Sequence, residues 1–549
     1  MKNKFLIIFL VLCLLFSATA CSKKVDEPDA SPGVLVPDAK ENIESPLPDS
    51  GVNQPSNSGN ADKAGENAEH GITENEQGAI ISTGGSLNGA TADSSGFIQG
   101  GYNYSGENYG ERVENKFIST KENNLSTFAA DVDTASYTRL RRYIAEDYTQ
   151  LPTDAVRVEE MINYFSYDYK EPQEGEPFSV ETEIFDCFWN SESKLLKIGV
   201  ATKEPDYSAM PKSNLVFLID VSGSMASADK LPLVQQAFSM LSENLKKEDK
   251  ISIVTYAASD SVVLDGVSGS DQYAIQTAIE NLTAGGGTYG SKGIITAYEL
   301  ASKHFIKGGN NRVILATDGD LNIGITDTEE LKNLIIEKKN SGVFLSVMGF
   351  GTGNLQDDKL EALADNGNGN YSYIDSKTEA RRVLTEEMGG TLFTVAKDVK
   401  FQLEFNADAV AEYRLIGYEN RIMASEDFED DSKDGGEIGA GHKVTILYEL
   451  KMKDEGADKW AVLNVRYKEP EGDKSALKVF DIKKEQYTKD PSENSIFAAS
   501  VAQFGMLLSK SEYVSGNYAD IYSRLAKLQC VKEDVYKKEL SELVKKIIE

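Results

Sequence analysis

The sequence predicts an α/β protein whose central part, residues 211–396, is a doubly wound domain with a mostly parallel sheet. Two observations lead to this fold class. In this region short apolar runs alternate with amphipathic stretches of helical spacing, which is the order expected for strands and the helices that cover them. The apolar runs are also continuous enough to be buried on both faces, as in parallel sheets. On either side, residues 111–205 read as a small α+β domain and residues 397–549 as a β-rich and helical domain.

Composition limits the possible partners. The 549 residues include 57 Lys plus Arg and 88 Asp plus Glu, which gives a formal charge of -31. At roughly 100 to 200 residues per domain, a chain of this length holds about two to four domains. An acidic surface of this kind repels phosphate backbones, so the charge excludes nucleic acid as a partner.

The N-terminus has the pattern of a secretory signal. Two lysines precede an apolar run at residues 5–16, and small residues at 17–20 come directly before Cys21. The run is too short to span a bilayer but suits a secretory signal peptide over residues 1–20. The small residues and the cysteine resemble the lipobox, in which the cysteine carries the lipid; the alternative is an ordinary signal peptide with a cysteine nearby. We expect an acylated Cys21 that anchors the chain to the extracytoplasmic face of a bacterial membrane or envelope.

The segment after the signal reads as an acidic tether. Residues 21–110 are rich in Pro, Ser, Asn and Gly and have little apolar periodicity, so they cannot bury enough surface to offset the entropy of ordering. Of the four cysteines, Cys13 leaves with the signal and Cys21 is used by the lipid. Cys187 and Cys530 can form a disulfide in an oxidising exterior or stay free, and the sequence leaves both possibilities open.

Local patterns predict the elements of the folded part. In the first flank, residues 126–137 read as a strand that leads into a helix capped by Asp133 or Thr134. The other predicted elements of this flank are a helix at 156–165 and a strand at 177–188. The predicted strands of the central domain are 215–220, 251–256, 313–317 and 343–350, and its helices are 231–245, 273–282, 293–305 and 331–339. The predicted strands of the second flank are 399–405, 411–416, 443–450 and 461–467, followed by a helix with an apolar stripe from residue 497 to 508.

Oxygen-bearing side chains follow two of the central strands. Asp220, Ser222 and Ser224 come directly after the first strand, and Asp318 follows the strand at 313–317. A glycine-rich loop between them adds the hydroxyl of Thr288. Because ligands of open parallel sheets bind at the carboxyl ends of the strands, we expect these five side chains at one edge. Carboxylates and hydroxyls are hard ligands that suit Mg²⁺, Mn²⁺ or Ca²⁺ better than zinc.

This pattern resembles the metal-ion-dependent adhesion site of von Willebrand factor type A domains, which are Rossmann-like, and all five positions match. The resemblance implies that Ser222, Ser224 and Thr288 bind the ion through their hydroxyls. It also implies that Asp220 and Asp318 act directly or through water. One coordination position stays open in such sites, where a carboxylate from a protein partner typically completes the coordination.

The flanks carry a second resemblance. Residues 126–137, 413–421 and 436–442 are similar to segments of the bacterial YfbK-type lipoproteins, which have a characteristic domain on each side of the type A core. The resemblance covers about residues 115–549 and implies the architecture more than an activity.

Two rival motifs are weaker. Asp318 begins a stretch that imitates an EF-hand loop and ends at Glu329, but Ile323 stands where that loop needs glycine. Asp131 and Asp133 are similar to the nucleophile motif of haloacid-dehalogenase phosphatases. In this chain the threonine comes one residue too early, so helix capping explains these residues better.

No catalytic triad is visible in the sequence. His70, His304 and His442 fall in the tether, late in a helix and in a glycine loop, where we expect surface residues. Ser222 and Ser224 have no neighbouring base to activate them. We therefore predict a protein that is not an enzyme and that binds a protein ligand through the metal. The alternatives are a metal-dependent enzyme or accessory subunit, and an envelope scaffold with a structural metal.

Overall fold

The computed structural model describes residues 107–146, 148–206, 210–287, 290–319, 328–470 and 472–549. These residues all belong to one compact unit, Gly96–Glu549. The predicted signal peptide, Cys21, His70, Thr288 and nearly all of the predicted tether lie outside the described residues. Within the described ranges, no helix is both long enough and apolar enough to cross a membrane.

Strands and helices alternate in the middle of the chain, and strands dominate on either side. The strands are β1 (Ile118–Ser119), β2 (Leu125–Ala129), β3 (Phe178–Asp186), β4 (Ser193–Thr202), β5 (Ser213–Asp220), β6 (Lys250–Tyr256), β7 (Asp260–Ser268), β8 (Asn310–Thr317), β9 (Phe344–Phe350), β10 (Tyr371–Ile374), β11 (Thr394–Phe405), β12 (Val410–Ile416), β13 (Gly436–Gly439), β14 (Lys443–Met452), β15 (Lys459–Lys468) and β16 (Ser475–Lys483). The α-helices are α1 (Ala135–Glu146), α2 (Val158–Asn163), α3 (Leu231–Ser242), α4 (Gln272–Glu280), α5 (Gly290–Lys303), α6 (Thr328–Lys339), α7 (Asp357–Asn366), α8 (Lys377–Arg381), α9 (Met388–Leu392), α10 (Glu493–Leu508), α11 (Tyr518–Leu525), α12 (Gln529–Glu533) and α13 (Val535–Ile548).

The central domain is the predicted doubly wound α/β domain. Its sheet has the order β10-β9-β8-β5-β6-β7, and its neighbours are parallel except for β6 and β7. Leu215, Phe217 and Ile219 of β5 pack in the core on one face of the sheet, while Val216 and Leu218 pack on the other. A strand covered on both faces needs apolar residues at every position, which explains the continuous apolar runs in the sequence.

Strands of the two flanking segments lie in common sheets. One antiparallel sheet has the order β1-β12-β14-β4-β3, and in the other β2 pairs with β11 beside β13, β15 and β16. The sequence presents residues 111–205 and 397–549 as separate flanks. In the structure each segment completes backbone hydrogen bonds of the other, and Phe128, Leu196 and Phe401 share one core. The chain positions at which the segments begin and end remain predictions.

Helices from both flanks form a second shared core. Phe497, Val501, Phe504 and Leu508 of α10 are all buried, which confirms the predicted apolar stripe. They belong to the same core cluster as residues of α1, α2 and α13. The N-terminal helices are therefore held by the C-terminal ones through apolar burial.

The start of α1 differs from the prediction. The sequence predicts a cap at Asp133 or Thr134, but the carboxylate of Glu160 accepts the amide hydrogen of Ser136 at 2.7 Å. Asp133 instead accepts the amide hydrogen of Tyr371, on β10, at 2.8 Å. A partner from the central domain therefore takes the side chain that local sequence assigns to a cap.

Both remaining cysteines are free thiols in the structure. Cys187 is buried and Cys530 is partly buried. Burial raises the pKa of Cys187 to about 12 and that of Cys530 to about 11, so neither is a reactive thiolate at neutral pH.

Arg421 joins three parts of the chain. Its guanidinium lies 2.9 Å from Asp131, 3.3 Å from Asp133, 3.5 Å from Glu361 and 2.6 Å from Asp365. The first two carboxylates precede α1, the other two lie on α7, and Arg421 itself follows β12. We call these five residues the Arg421 cluster. Burial raises the pKa of Asp133, Glu361 and Asp365, although the positive charge of Arg421 opposes the rise.

The carboxyl group of Glu159, on α2, is buried without a hydrogen bond from the described residues. Burial first, and then the charges of Glu419, Asp131 and Glu160, raise its pKa from 4.5 to about 8. Between these two pH values the folded chain therefore keeps a proton that the unfolded chain releases. The contribution of Glu159 to stability falls as the pH rises through this interval and is constant above it.

A neutral side chain at position 159 should remove this pH dependence. We expect the difference in unfolding free energy between Glu159→Gln and the wild type to grow in favour of the variant from about pH 4.5 to about pH 8. Urea unfolding across this range measures the difference. Glu299→Gln, at an exposed position on α5, is the control, and its difference from the wild type should not change. A constant difference for Glu159→Gln would contradict the prediction.

Candidate metal centre

Two predicted site carboxylates lie at one edge of the central sheet. Asp220 is the last residue of β5, and Asp318 follows the last residue of β8. These strands are parallel neighbours, with Ile219 opposite Ala316, so their carboxyl ends coincide. Both carboxylates are buried, each with no exposed surface.

A tight turn after β5 brings in the two serines. The carboxylate of Asp220 accepts the amide hydrogen of Ser222 at 2.9 Å, which turns the chain back over the end of the strand. The Oγ atoms of Ser222 and Ser224 are 2.9 Å apart. Met225 is buried in the core below and fixes the turn. Ser222 is buried and Ser224 exposed, so the hydroxyl pair leads from the interior to the surface.

The glycine loop meets this turn. The amide of Gly223 donates to the carbonyl of Gly286 at 3.0 Å, and the amide of Gly285 donates to the carbonyl of Val221 at 2.8 Å. Gly286 has a φ of +82°, a left-handed conformation that favours glycine. Thr288, two residues further on, lies outside the described residues, and its role as a ligand stays a prediction.

The two carboxylates have different electrostatic surroundings. Burial, with a further contribution from the charge of Asp318, raises the pKa of Asp220 to about 6, although hydrogen bonds from Ser222 oppose the rise. Its second oxygen accepts the hydroxyl of Thr317 at 3.2 Å, and Asp220 forms no ion pair with any described residue. Burial alone would raise the pKa of Asp318 as well. The hydrogen bond and the charge of the Lys230 ammonium group outweigh burial, so the pKa of this carboxyl is lowered.

Sequence reasoning missed three residues of this site. Lys230, directly before α3, places its Nζ 2.8 Å from Oδ2 of Asp318 and 3.1 Å from Oδ1 of Asn354. Thr317 is the third. A polar residue at the end of an apolar strand could have indicated Thr317, and a lone lysine just before an apolar helix could have indicated Lys230. No local signal points to Asn354.

The donor set suits a hard divalent cation. Asp220 and Asp318 carry one negative charge each when ionised, Lys230 neutralises one of them, and one negative charge remains. Within the described ranges, no three or more His, Cys, Asp and Glu side chains come together as a metal site. A metal here therefore depends on two carboxylates supplemented by serine hydroxyls, a set of oxygen ligands that fits Mg²⁺, Mn²⁺ or Ca²⁺.

The histidines have other roles in the structure. His304, at the end of α5, binds the carboxylate of Asp265 at 2.6 Å. The sequence predicts His442 at the surface, and the structure leaves it partly exposed. Its ring packs against Gly390, and burial lowers its pKa to about 4. Its Nδ1 accepts the amide hydrogen of Gly439 at 3.2 Å. The folding of the flank onto the central domain encloses this glycine loop, which local sequence cannot show.

Among the described residues, the phosphatase-like motif and a large cleft at the far edge of the sheet do not add a second centre. Most of the EF-hand-like stretch, residues 320–327, lies outside the described residues. In the phosphatase-like motif Asp131 binds Arg421 and accepts the amide hydrogen of Asp133 at 2.8 Å. A cleft of 1030 Å³ lined by Arg312 and Phe344 lies at the amino ends of β8 and β9, which is the edge of the sheet opposite Asp220.

Comparisons with known proteins agree with this fold. The von Willebrand factor type A domain family matches residues 214–387, a further von Willebrand factor family matches residues 103–197, and the family described as uncharacterized protein YfbK, C-terminal, matches residues 390–549. The chain is thus a type A domain protein. Uncharacterized protein YfbK of Escherichia coli (strain K12) is 41% identical over 433 residues, which cover 74% of this chain and 75% of that protein. The chain belongs to the YfbK family.

More distant similarities have lower identity and cover less of the chain. Inter-alpha-trypsin inhibitor heavy chain H3 of Homo sapiens is 24% identical over 266 residues, which are 45% of this chain and 29% of that protein. Among solved structures, a von Willebrand factor type A protein from Catenulispora acidiphila aligns with a TM-score of 0.39 and 15% identity. This alignment covers 62% of the present chain and 89% of the other.

Proposed function

We propose that the protein is a lipid-anchored protein of the bacterial cell envelope that binds a protein partner through a divalent ion. The ion, Mg²⁺ or alternatively Mn²⁺ or Ca²⁺, would be held by Asp220, Ser222, Ser224, Thr288 and Asp318. Cys21 would carry the lipid on the extracytoplasmic side. The observation that carries the proposal is the meeting of two buried carboxylates and a hydroxyl pair at one sheet edge, with Asp220 lacking a cationic partner among the described residues.

The chemistry of the site favours binding over catalysis. The Oγ atoms of Ser222 and Ser224 contact each other. Asp220 accepts hydrogen bonds from the amide of Ser222 and the hydroxyl of Thr317, and neither of these groups is a general base near neutral pH. A bound ion with one open position would attract a carboxylate that reaches it from outside, past the exposed Ser224. Type A domains are generally protein-interaction modules, which supports the same function.

Capture of the partner should depend on both the ion and Asp220. With the full chain as bait in envelope extract, we expect Asp220→Ala to abolish capture, because the ion loses a carboxylate ligand. A chelator should have the same effect on the wild type. The matched control is Glu299→Ala, which removes an exposed carboxylate from α5 of the same domain and should capture the partner normally. Capture that persists in chelator would contradict the proposal.

The other outcomes of this experiment point to different functions. A chelator that lowers the melting temperature but leaves capture unchanged would indicate a scaffold with a structural metal. Turnover of an ester, phosphate or peptide substrate that requires Asp220 would indicate a metal-dependent enzyme.

A further inference from the structure

The residues just before the first strand run along the type A domain. We call Glu107–Gly110 the strap and Gly351–Gln356 the support loop. The amide of Asn108 donates to the carbonyl of Leu355 at 2.9 Å, and the carbonyl of Asn108 accepts the amide hydrogen of Asp357 at 3.0 Å. Asn108 thereby forms a parallel β-bridge with Gln356.

The side chain of Glu107 ties the support loop to α1. Its Oε1 accepts the amide hydrogen of Gly353 at 3.1 Å. The same carboxylate lies 2.9 Å from the guanidinium of Arg142 and accepts the hydroxyl of Tyr143 at 3.0 Å. The Glu107 side chain is 1% exposed, so water competes little for these bonds.

The support loop in turn encloses the pair formed by Lys230 and Asp318. Gly351, with a φ of +71°, lies so close to the Lys230 stem that a Cβ there would stand 2.3 Å from Cγ of the lysine. Oδ1 of Asn354 accepts a hydrogen bond from the Lys230 ammonium group at 3.1 Å. Gly319, which follows Asp318, lies against the backbone of Gln356, where a Cβ would meet the amide nitrogen at 2.7 Å. The strap therefore contacts the support loop, and the support loop contacts Lys230 and the residue after Asp318 at the candidate metal centre.

We propose that the strap is a latch that keeps Lys230 on Asp318 and thereby lowers the affinity of the centre for divalent ions. This inference rests on the proposed function and concerns the regulation of the same site. An ammonium group 2.8 Å from Asp318 neutralises one of the two carboxylates and repels a divalent ion beside it. When the strap leaves the support loop, Asn354 and Gly351 no longer hold the lysine, and Asp318 becomes available to the ion.

The place of the strap in the chain suggests what releases it. The strap is the C-terminal end of the predicted tether, residues 21–110, so a pull on the rest of the tether acts on the strap before it acts on any strand. Coupling of two binding events is reciprocal, so an ion in the centre must weaken the docking of the strap by the same factor.

Binding of Mn²⁺ alone tests the latch in the full chain. Asn108→Pro removes the amide hydrogen that bonds Leu355. We expect this variant to bind Mn²⁺ at least about 5-fold more tightly than the wild type in calorimetric titration, at the lower end of usual allosteric couplings. The matched control, Asn108→Ala, keeps the backbone bond and loses only the side-chain contacts to Asp358, so its affinity should stay near that of the wild type. Unchanged or weaker binding by Asn108→Pro overturns the inference.

The same substitution in a Lys230→Gln variant tests whether the strap acts through Lys230. Lys230→Gln should itself bind Mn²⁺ more tightly, and adding Asn108→Pro to it should change the affinity no further. An equal gain in both backgrounds means that the strap does not act through the lysine, and it overturns the inference.

Hydrogen exchange of the wild-type protein tests the latch without any substitution. The amides of Asn108 and Asp357 should exchange faster with saturating Mn²⁺ than with chelator, and equal or slower exchange overturns the latch. Failure of the proposed function looks different. In that case Mn²⁺ does not bind the wild type, or it binds Asp220→Ala equally well.

Discussion

Replacing Arg421 by alanine is expected to lower the free energy of unfolding by about 3 to 5 kcal/mol, the usual cost of breaking a buried ion pair. The variant leaves three buried carboxylates and the partly exposed Asp365 without their shared cation. Because these carboxylates come from the first flank and from α7, while Arg421 comes from the second flank, the loss should affect the whole unit. Guanidinium chloride unfolding measures the change.

Two further variants delimit this prediction. Arg421→Lys keeps the charge but loses the planar fork that contacts several carboxylates, so its cost should lie between those of the wild type and the alanine variant. Arg466→Ala removes an arginine that contacts the exposed Asp431 at 3.2 Å and should cost at most about 1 kcal/mol. Equal costs for Arg421→Ala and Arg466→Ala would contradict the prediction, because the buried cluster would then add no more to stability than an exposed ion pair.

The cost of Arg421→Ala should also depend on pH. Burial already raises the pKa of Asp133, Glu361 and Asp365 in the wild type, and Arg421 opposes that rise. Without the arginine these pKa values rise further, so the folded variant holds protons that the unfolded chain releases. Its stability therefore falls as the pH rises, and the deficit relative to the wild type should shrink in acid.

Saturating Mn²⁺ is expected to stabilise the wild type by about 2.7 kcal/mol at a free concentration of about 100 times Kd. An ion that binds only the folded chain shifts the unfolding equilibrium by mass action. Asp220→Ala should show no such shift, because it removes a buried carboxylate that has no cationic partner among the described residues. Thermal unfolding with Mn²⁺ and with chelator measures both effects.

The control for this measurement is Glu299→Ala, which should be stabilised by Mn²⁺ as strongly as the wild type. A shift in Asp220→Ala equal to that of the wild type would mean that the ion binds elsewhere. Chelation of a protein purified without added metal should leave its melting temperature unchanged.

The local sequence pattern was sufficient to predict the strands in the middle of the central sheet. β5, β6, β8 and β9 agree closely with the predicted ranges, because strands buried on both faces must be apolar throughout. β7 was not predicted, since it is an edge strand with many exposed positions and no continuous apolar run. β10 has four residues, too few for a periodic signal.

The same distinction holds at the candidate metal centre. Asp220, Ser222 and Ser224 lie within one short motif, and the parallel pairing of β5 with β8 brings Asp318 beside them, as the β/α order predicts. Lys230 reaches Asp318 across 88 positions of sequence and Asn354 across 124. No local spacing records such contacts.

The sequence by itself determined the α/β class of the central domain and the meeting of Asp220, Ser222 and Asp318 at one sheet edge, because both depend on residues close together in the chain or at the ends of predictable strands. Only the tertiary structure decided that the two flanks share sheets and that Arg421 collects carboxylates from distant segments. It also decided that the strap reaches the support loop beside Lys230. These arrangements join residues hundreds of positions apart, and they arise from which surfaces fit together when the chain folds.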